Sequence, residues 1–434
     1  MMQPGPPDVS RRNFTESLLL LFILSLPLMK PAIGYSIVLP DLVFVALFLA
    51  FVAQIAGGKR RLAWKREYWI LPIYVASFVL SLLATPDVGQ SLFKLLTQLY
   101  LVALALVTAM LIRSEAHLRW AVMAWLLGTA IVAAVGVASL AIFPFAPGSA
   151  LVDYARFHFG TLPPGAYLRL SSTFLNANMA CNYLSISVVL LLAARTCGWV
   201  SGRVFLLLFA ATVITALATI SPGLGGLALV VGMWLWLMHR GQNPIRARLA
   251  LFSAVVGAAA FVLAVAVTPV IHSTAPFLIA VPGTDLVLPP SGRWMLWSGS
   301  LAEFLRQPLI GHGIGIDATY VRYLDPSGNL QILTDAHNVY LSIAAQCGVS
   351  GLLGLGALLA YAWSLTPPWR LDGATSIIRV ALGLSFLGAF AYQGISGSFE
   401  DTRHLWVLLG LLIAASGLTR ADGNNRRAGA PSPC

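Results

Sequence analysis

Twelve stretches of this chain are long and apolar enough to cross a hydrocarbon layer as helices, and that decides the fold class before any single residue is considered. They run near 14–30, 37–56, 68–84, 91–112, 118–142, 173–194, 203–220, 223–238, 248–272, 337–363, 375–395 and 404–419. In hydrocarbon each backbone N–H and C=O must be satisfied within the protein, and a helix of about 20 residues does this. Composition agrees: 58% of the 434 residues are hydrophobic and 10% charged, where a soluble domain carries about 25% charged residues. The reading is an all-α polytopic membrane protein of about 12 transmembrane helices. Soluble enzymes, disordered regulators and disulfide scaffolds are excluded. Cys181, Cys197, Cys347 and Cys434 form no CxxC pair and read as packing residues plus a tail thiol.

Charge distribution orients the spans. With the N-terminus in the cytoplasm and sides alternating, the cytoplasmic segments hold 19 Lys and Arg against 6 Asp and Glu, and the other side holds 8 against 10. That is the positive-inside pattern, with both termini cytoplasmic. It explains the net charge of +11 without any nucleic-acid partner. The organisation is read as helices 1–9 over 1–272, a large periplasmic loop over 273–336, helices 10–12 over 337–419 and a cytoplasmic tail over 420–434. A shorter periplasmic segment spans 143–172. Both outer segments carry aromatic residues, among them Tyr154, Phe157, Trp294, Trp297 and Tyr320, and so do not read as disordered. Within the larger loop, Arg293–Arg306 has helical periodicity. Trp294, Trp297, Leu301, Phe304 and Leu305 share one face, and Arg293, Ser300 and Glu303 lie towards another. Such a helix suits the membrane interface or packs on the bundle.

Polar groups at the rim of an apolar bundle are the informative ones, because burying them is costly without a partner or a task. Three clusters fall on the non-cytoplasmic side. Asp335, His337, Asn338 and Tyr340 stand where the large loop meets a span, and a histidine there is placed to accept a proton near neutral pH. It can equally cap or bond a neighbouring loop. Arg293, upstream of Gly311-His312-Gly313-Ile314-Gly315, offers a planar fork for phosphate or an anchor for headgroups. The GHGIG run lacks dinucleotide spacing and reads as a tight turn. Arg169 with Ser171, Ser172, Asn176 and Asn178 opens another span, where the asparagines cap the helix or orient a ligand. Arg156 and His158 sit in the same segment. The sequence has no DxD, Walker A, GxSxG or HExxH motif. Catalysis is therefore read as independent of metal and cofactor, resting on histidine and arginine.

These clusters, in this order, resemble the O-antigen ligase/polymerase superfamily of bacterial inner membranes. The residues that carry the likeness are Arg169 through Asn178, Arg293 with Pro308–Gly315, and His337–Gly351, whose His-Asn-x-Tyr-Leu…Gly-x-x-Gly pattern is the most specific part. The resemblance implies an inner-membrane glycosyltransferase with a periplasmic active site. It would move a polysaccharide from undecaprenyl diphosphate to lipid A-core oligosaccharide, with His337 as general base. Arg293 and Arg169 would stabilise the leaving diphosphate, and Asn338, Asn176, Asn178, Arg156, Tyr340 and Asp335 would contact substrate. Membrane lipids are the remaining partner. Polymerases and protein O-oligosaccharyltransferases of the superfamily are the alternatives, and a lipid-linked sugar transporter is a further one. One departure stands out. Many relatives carry Ser-Arg near the outer end of the middle spans, where this chain has Ser221-Pro222-Gly223, so Arg156 or Arg169 is expected to do that arginine's work.

Overall fold

The computed structural model describes residues 13–32, 37–60, 64–157, 167–221, 223–241, 243–267, 279–280, 287–288, 292–317, 321–324, 330–334, 336–366, 373–397 and 402–428. Its helices are α1 (Phe14–Ser25), α2 (Leu39–Ala56), α3 (Ile70–Val79, flanked by 3-10 turns Arg66–Tyr68 and Leu80–Leu83), α4 (Val88–Leu111), α5 (Glu115–Ile142), the short α6 (Ala150–Ala155), α7 (Ala177–Thr196), α8 (Gly202–Ala218), α9 (Leu224–His239), α10 (Pro244–Val267), α11 (Gly292–Arg306), α12 (Val339–Leu365), α13 (Ala374–Ser396) and α14 (Arg403–Ala428). Every expected apolar stretch coincides with a helix. Among the described residues, seven helical segments can cross a membrane by length and composition: Leu39–Ala56, Arg66–Leu83, Val88–Leu111, Glu115–Ile142, Ala177–Thr196, Val339–Leu365 and Ala374–Gly394. The apolar helices Phe14–Ser25, Gly202–Ala218, Leu224–His239 and Arg403–Thr419 are shorter.

Helix starts follow from side chains that accept the otherwise orphaned first N–H groups. Asn13 and Glu16 form a reciprocal capping box on α1. Asp87 accepts from Gln90 N at 3.0 Å to open α4, and Ser114 from His117 N at 3.2 Å to open α5. Inside the bundle, small residues let backbones approach: a Cβ on Gly232 would lie 2.1 Å from Ala254 Cβ, and one on Gly354 1.9 Å from Ser77 Oγ. Between lipid-solvated helices such close contact is what drives association. α7 and α13 form the centre, with 78% and 72% of their apolar windows buried, whereas α2 has 22%. The exposed face of α2 is a stripe of Leu42, Val45, Leu49 and Val52, an arrangement suited to hydrocarbon. Trp125 stacks on Tyr183 with centroids 5.0 Å apart, and Trp406 packs edge-on against Tyr74 at 5.2 Å. Arg403 of α14 pairs through both Nε (2.5 Å) and Nη2 (2.9 Å) with Asp41 of α2, which also accepts from Tyr100 of α4.

The large loop is not purely helical. Among the described residues it holds one helix, α11, and two short antiparallel ladders, β1 (Ile279–Ala280) with β2 (Val287–Leu288) and β3 (Val321–Leu324) with β4 (Leu330–Leu333). α11 packs on α12 through Leu296 and Ser300, which are buried, while Leu301 and Leu305 are 47% and 67% exposed. Of the two readings of the apolar face, the exposed Leu301 and Leu305 suit the membrane interface, where an outward apolar stripe is not penalised.

After α11 the Pro308–Gly315 turn is fastened into the bundle. α12 breaks at Gly348 (φ 63°, ψ −157°). Val349 N and Ser350 N there donate to Pro308 O (2.7 Å) and Leu309 O (3.2 Å). On the turn's other side, His312 N and Gly313 N donate to Ala345 O and Gln346 O, and Ile314 N to Ser81 Oγ. A Cβ on Gly348 would stand 2.5 Å from the Leu309 carbonyl carbon. Gly348→Ala therefore meets both a positive φ and a backbone clash, and is expected to destabilise the protein by at least about 1–3 kcal/mol. Gly356→Ala, where a Cβ meets nothing within 4 Å, is expected to be neutral or to stabilise by roughly 0.4–1 kcal/mol. Thermal unfolding of the two variants in detergent checks the contrast.

Candidate active site

The connector after α1, residues 143–157 and 167–176, the elbow of residues 219–221 with Gly223, α11 and the start of α12 gather at one end of the bundle. Met29 N donates to Thr173 O at 3.0 Å, Thr173 Oγ1 to Pro27 O at 2.6 Å, and Leu170 N to Ala218 O at 2.9 Å. Ser172 Oγ reaches Val132 O of α5 at 2.8 Å. Among the described residues, the non-glycine residues with positive φ are Ser172 (50°), Ile220 (46°) and His337 (48°). All three lie at this end, and such conformations persist only where the surroundings impose them.

Arg169 is aimed by an isolated bridge between Arg156 and Leu170. Successive side chains on an extended segment point to opposite faces. The Arg169 guanidinium accordingly stacks over Phe157 at 5.0 Å, while Arg156 lies over Phe143 at 5.5 Å with Nη2 on Pro147 O at 3.4 Å. Of the two arginines expected to replace the relatives' Ser-Arg, only Arg169 reaches the 219–223 elbow. Its Nε donates to Thr219 O at 3.1 Å and its Nη2 to Asn178 Oδ1 at 3.4 Å. Ser221 Oγ donates to the same Asn178 oxygen at 2.9 Å. Tyr392 of α13 meets Ser221 Oγ at 2.7 Å and donates to Asn178 O.

Arg293, near the start of α11, joins this group. Burial pushes its guanidinium below the ordinary arginine range; Tyr392 opposes that shift and the positive charge of Arg169 adds to it. Arg169 is lowered for the same first reason, burial, with Tyr392 and Tyr167 opposing. Guanidinium stays protonated in proteins, so burial leaves Arg169 and Arg293 as two poorly solvated cations. An anion bound between them would restore what burial removes.

His337 stands one step before the cap of α12. The segment is tied to α11 by Trp297 Nε1 donating to Ala336 O at 3.0 Å, one helical turn beyond Arg293. Asn338 spends its side chain as the α12 cap, accepting from Tyr340 N (3.0 Å) and Leu341 N (3.1 Å), and its backbone bridges Gly397. Asn176 likewise caps α7 through Asn178 N at 2.7 Å. The Tyr340 hydroxyl donates to Phe390 O at 3.2 Å. Asp335 and His158 lie outside the described residues. The site thus draws together Arg169, Asn178 and Arg293 and sets His337 beside α11, whereas Arg156 points away. Sequence reasoning missed Tyr392, although a tyrosine followed by Gln393 near the end of an otherwise apolar span was a signal.

Residues 204–356 match the family model described as O-antigen ligase. This part of the chain is similar to the O-antigen ligase family. The match takes in Ser221, Arg293, His337 and the Gly348 break; Arg169, Asn178 and Tyr392 lie outside it. The family points to glycosyltransferase-like ligase or polymerase chemistry on lipid-linked polysaccharide, and the apolar helices to a membrane protein. No curated protein matches the chain.

Lys30 supports the Arg169 segment from behind, donating to Tyr154 O at 2.5 Å and Ser171 Oγ at 2.9 Å. Burial pushes its ammonium down to about 8, against a smaller opposing pull from Asp153. The folded chain then binds fewer protons than the unfolded chain between about pH 8 and 10.5, so this group makes stability rise with pH across that window. Thermal midpoints of wild type and Lys30→Met are expected to diverge there, with the wild type gaining more. Equal slopes would contradict the assignment.

Proposed function

We propose that the protein is an O-antigen ligase of the bacterial inner membrane, with twelve spans, both termini cytoplasmic and the site described above facing the periplasm. Its donor is a polysaccharide on undecaprenyl diphosphate and its acceptor the lipid A-core oligosaccharide. The observation that carries this reading is the pair of half-buried guanidiniums, Arg169 and Arg293, near enough that the charge of Arg169 lowers Arg293, beside the histidine that the family match includes. Two fixed cations suit a diphosphate, whose charge grows as the glycosidic bond breaks. They supply in the protein what a bound metal supplies elsewhere, and the proposed reaction needs none.

In the proposed step, His337 takes the proton of an acceptor hydroxyl as that oxygen forms its bond to the anomeric carbon. The bond from that carbon to the diphosphate oxygen breaks on the opposite side, and undecaprenyl diphosphate leaves with the electron pair. Single displacement inverts the anomeric centre. Asp335 would orient His337, and Asn338, Asn176 and Tyr340 would shape the pocket chiefly by holding its backbone.

A lipopolysaccharide gel from cells lacking the protein tests the reading. Loss is expected to leave bare lipid A-core and long undecaprenyl-linked chains, and wild type is expected to restore the ladder. His337→Asn keeps a residue that tolerates positive φ but removes the base, and should lower ligation about 10²–10⁴-fold. Arg293→Gln should lower it about 10²–10³-fold. Core bearing a single repeat in the null strain would make the protein a polymerase. An unchanged ladder would refute glycan transfer to either acceptor.

A further inference from the structure

The Tyr392 hydroxyl is buried at the meeting point of three segments, and its contacts suggest a task that neither the family match nor the proton-transfer chemistry assigns. Tyr392 is 2% exposed. Its ring lies flat against the 219–223 elbow: a Cβ on Gly223 would fall 1.3 Å from the ring, so the glycine makes the seat. The hydroxyl meets Ser221 Oγ and Asn178 O, while Ser221 Oγ and Arg169 Nη2 share Asn178 Oδ1. Two hydroxyls bring two protons to three contacts, so Ser221 and Tyr392 act as one linked unit that grips Asn178 from both sides. Asn178 is in turn a side-chain acceptor for the Arg169 guanidinium, whose other end is held by Thr219 O.

We propose that Tyr392 is a positioning residue for anion recognition. With Ser221 it fixes Asn178, whose side-chain oxygen holds the Arg169 fork in place. The phenol does not touch the ligand, since its oxygen is spent on Ser221 and Asn178. Its effect passes through the direction of the Arg169 fork, and two rigid forks clamp a diphosphate only when both are held in register. The proposal rests on the diphosphate-donor reading above, and the test separates the two.

Full-length protein in detergent micelles is titrated with undecaprenyl diphosphate and, separately, with inorganic pyrophosphate. Wild type, Tyr392→Phe, Arg169→Gln and the double variant are compared, with thermal midpoints recorded alongside. Phenylalanine retains the ring in its glycine seat, so the midpoint should change little while affinity falls about 10-fold. In the Arg169→Gln background the same change should alter affinity less than about twofold, because residues acting as one unit are non-additive. Ser221→Ala, which leaves the ring untouched, should reproduce the Tyr392→Phe loss and serves if that variant fails to fold. Unchanged affinity in Tyr392→Phe, or losses that multiply in the double variant, would overturn the positioning role. Wild type that binds pyrophosphate but not undecaprenyl diphosphate would sink the lipid-donor reading and leave the cycle readable with pyrophosphate. Wild type that binds neither would overturn both.

Discussion

Two guanidinium groups held near each other in a poorly solvated place repel, and much of the surrounding structure compensates for that repulsion. Arg169 is stacked on Phe157 and tied to Thr219 and Asn178, while Arg293 rides on a helix fixed to α12. A site that holds its cations in a poorly solvated place is organised before substrate arrives. This is the condition under which charge stabilisation acts without reorganisation at the moment of reaction.

In the proposed reaction the base and the anion site must keep their distance fixed, and here the break in α12 matters. At Gly348 the helix gives up part of its own ladder, and the 308–315 turn supplies the missing acceptors. The turn, α11 and the first half of α12 therefore form one mechanical unit that carries both Arg293 and His337. Trp297 closes it by bonding Ala336. His312, through Nε2 on Glu303 O at 3.1 Å, fastens the end of α11 to the same turn. The glycines of the GHGIG run thus serve backbone docking.

The helices were legible in the sequence because hydrocarbon imposes a length of about 20 apolar residues, a constraint that single-chain patterning reports well. The three polar clusters were legible for the related reason that polar groups are scarce in such a chain: Arg169, Arg293 and His337 stand out against it. What was less legible is equally physical. Asn176 and Asn338, expected to contact substrate, cap α7 and α12, a role the sequence allows at any such position. The buried face of α11 stayed open because amphipathicity states that two faces differ, not which one meets protein when the other meets lipid. The α12 break could not be read from Gly348 alone, since glycines recur along every span. Tyr392 escaped notice because its partners, Ser221 and Asn178, are 171 and 214 residues distant in sequence.

The central claim is that Arg169 and Arg293, distant in sequence, form one anion site beside His337. A cryo-EM map of the full-length protein in lipid nanodiscs with undecaprenyl diphosphate addresses it most directly. The account predicts diphosphate density touching both guanidiniums, with the His337 ring facing the side from which an acceptor would approach. Density held by other residues, with Arg169 still on its backbone partners and remote from the lipid, would contradict it.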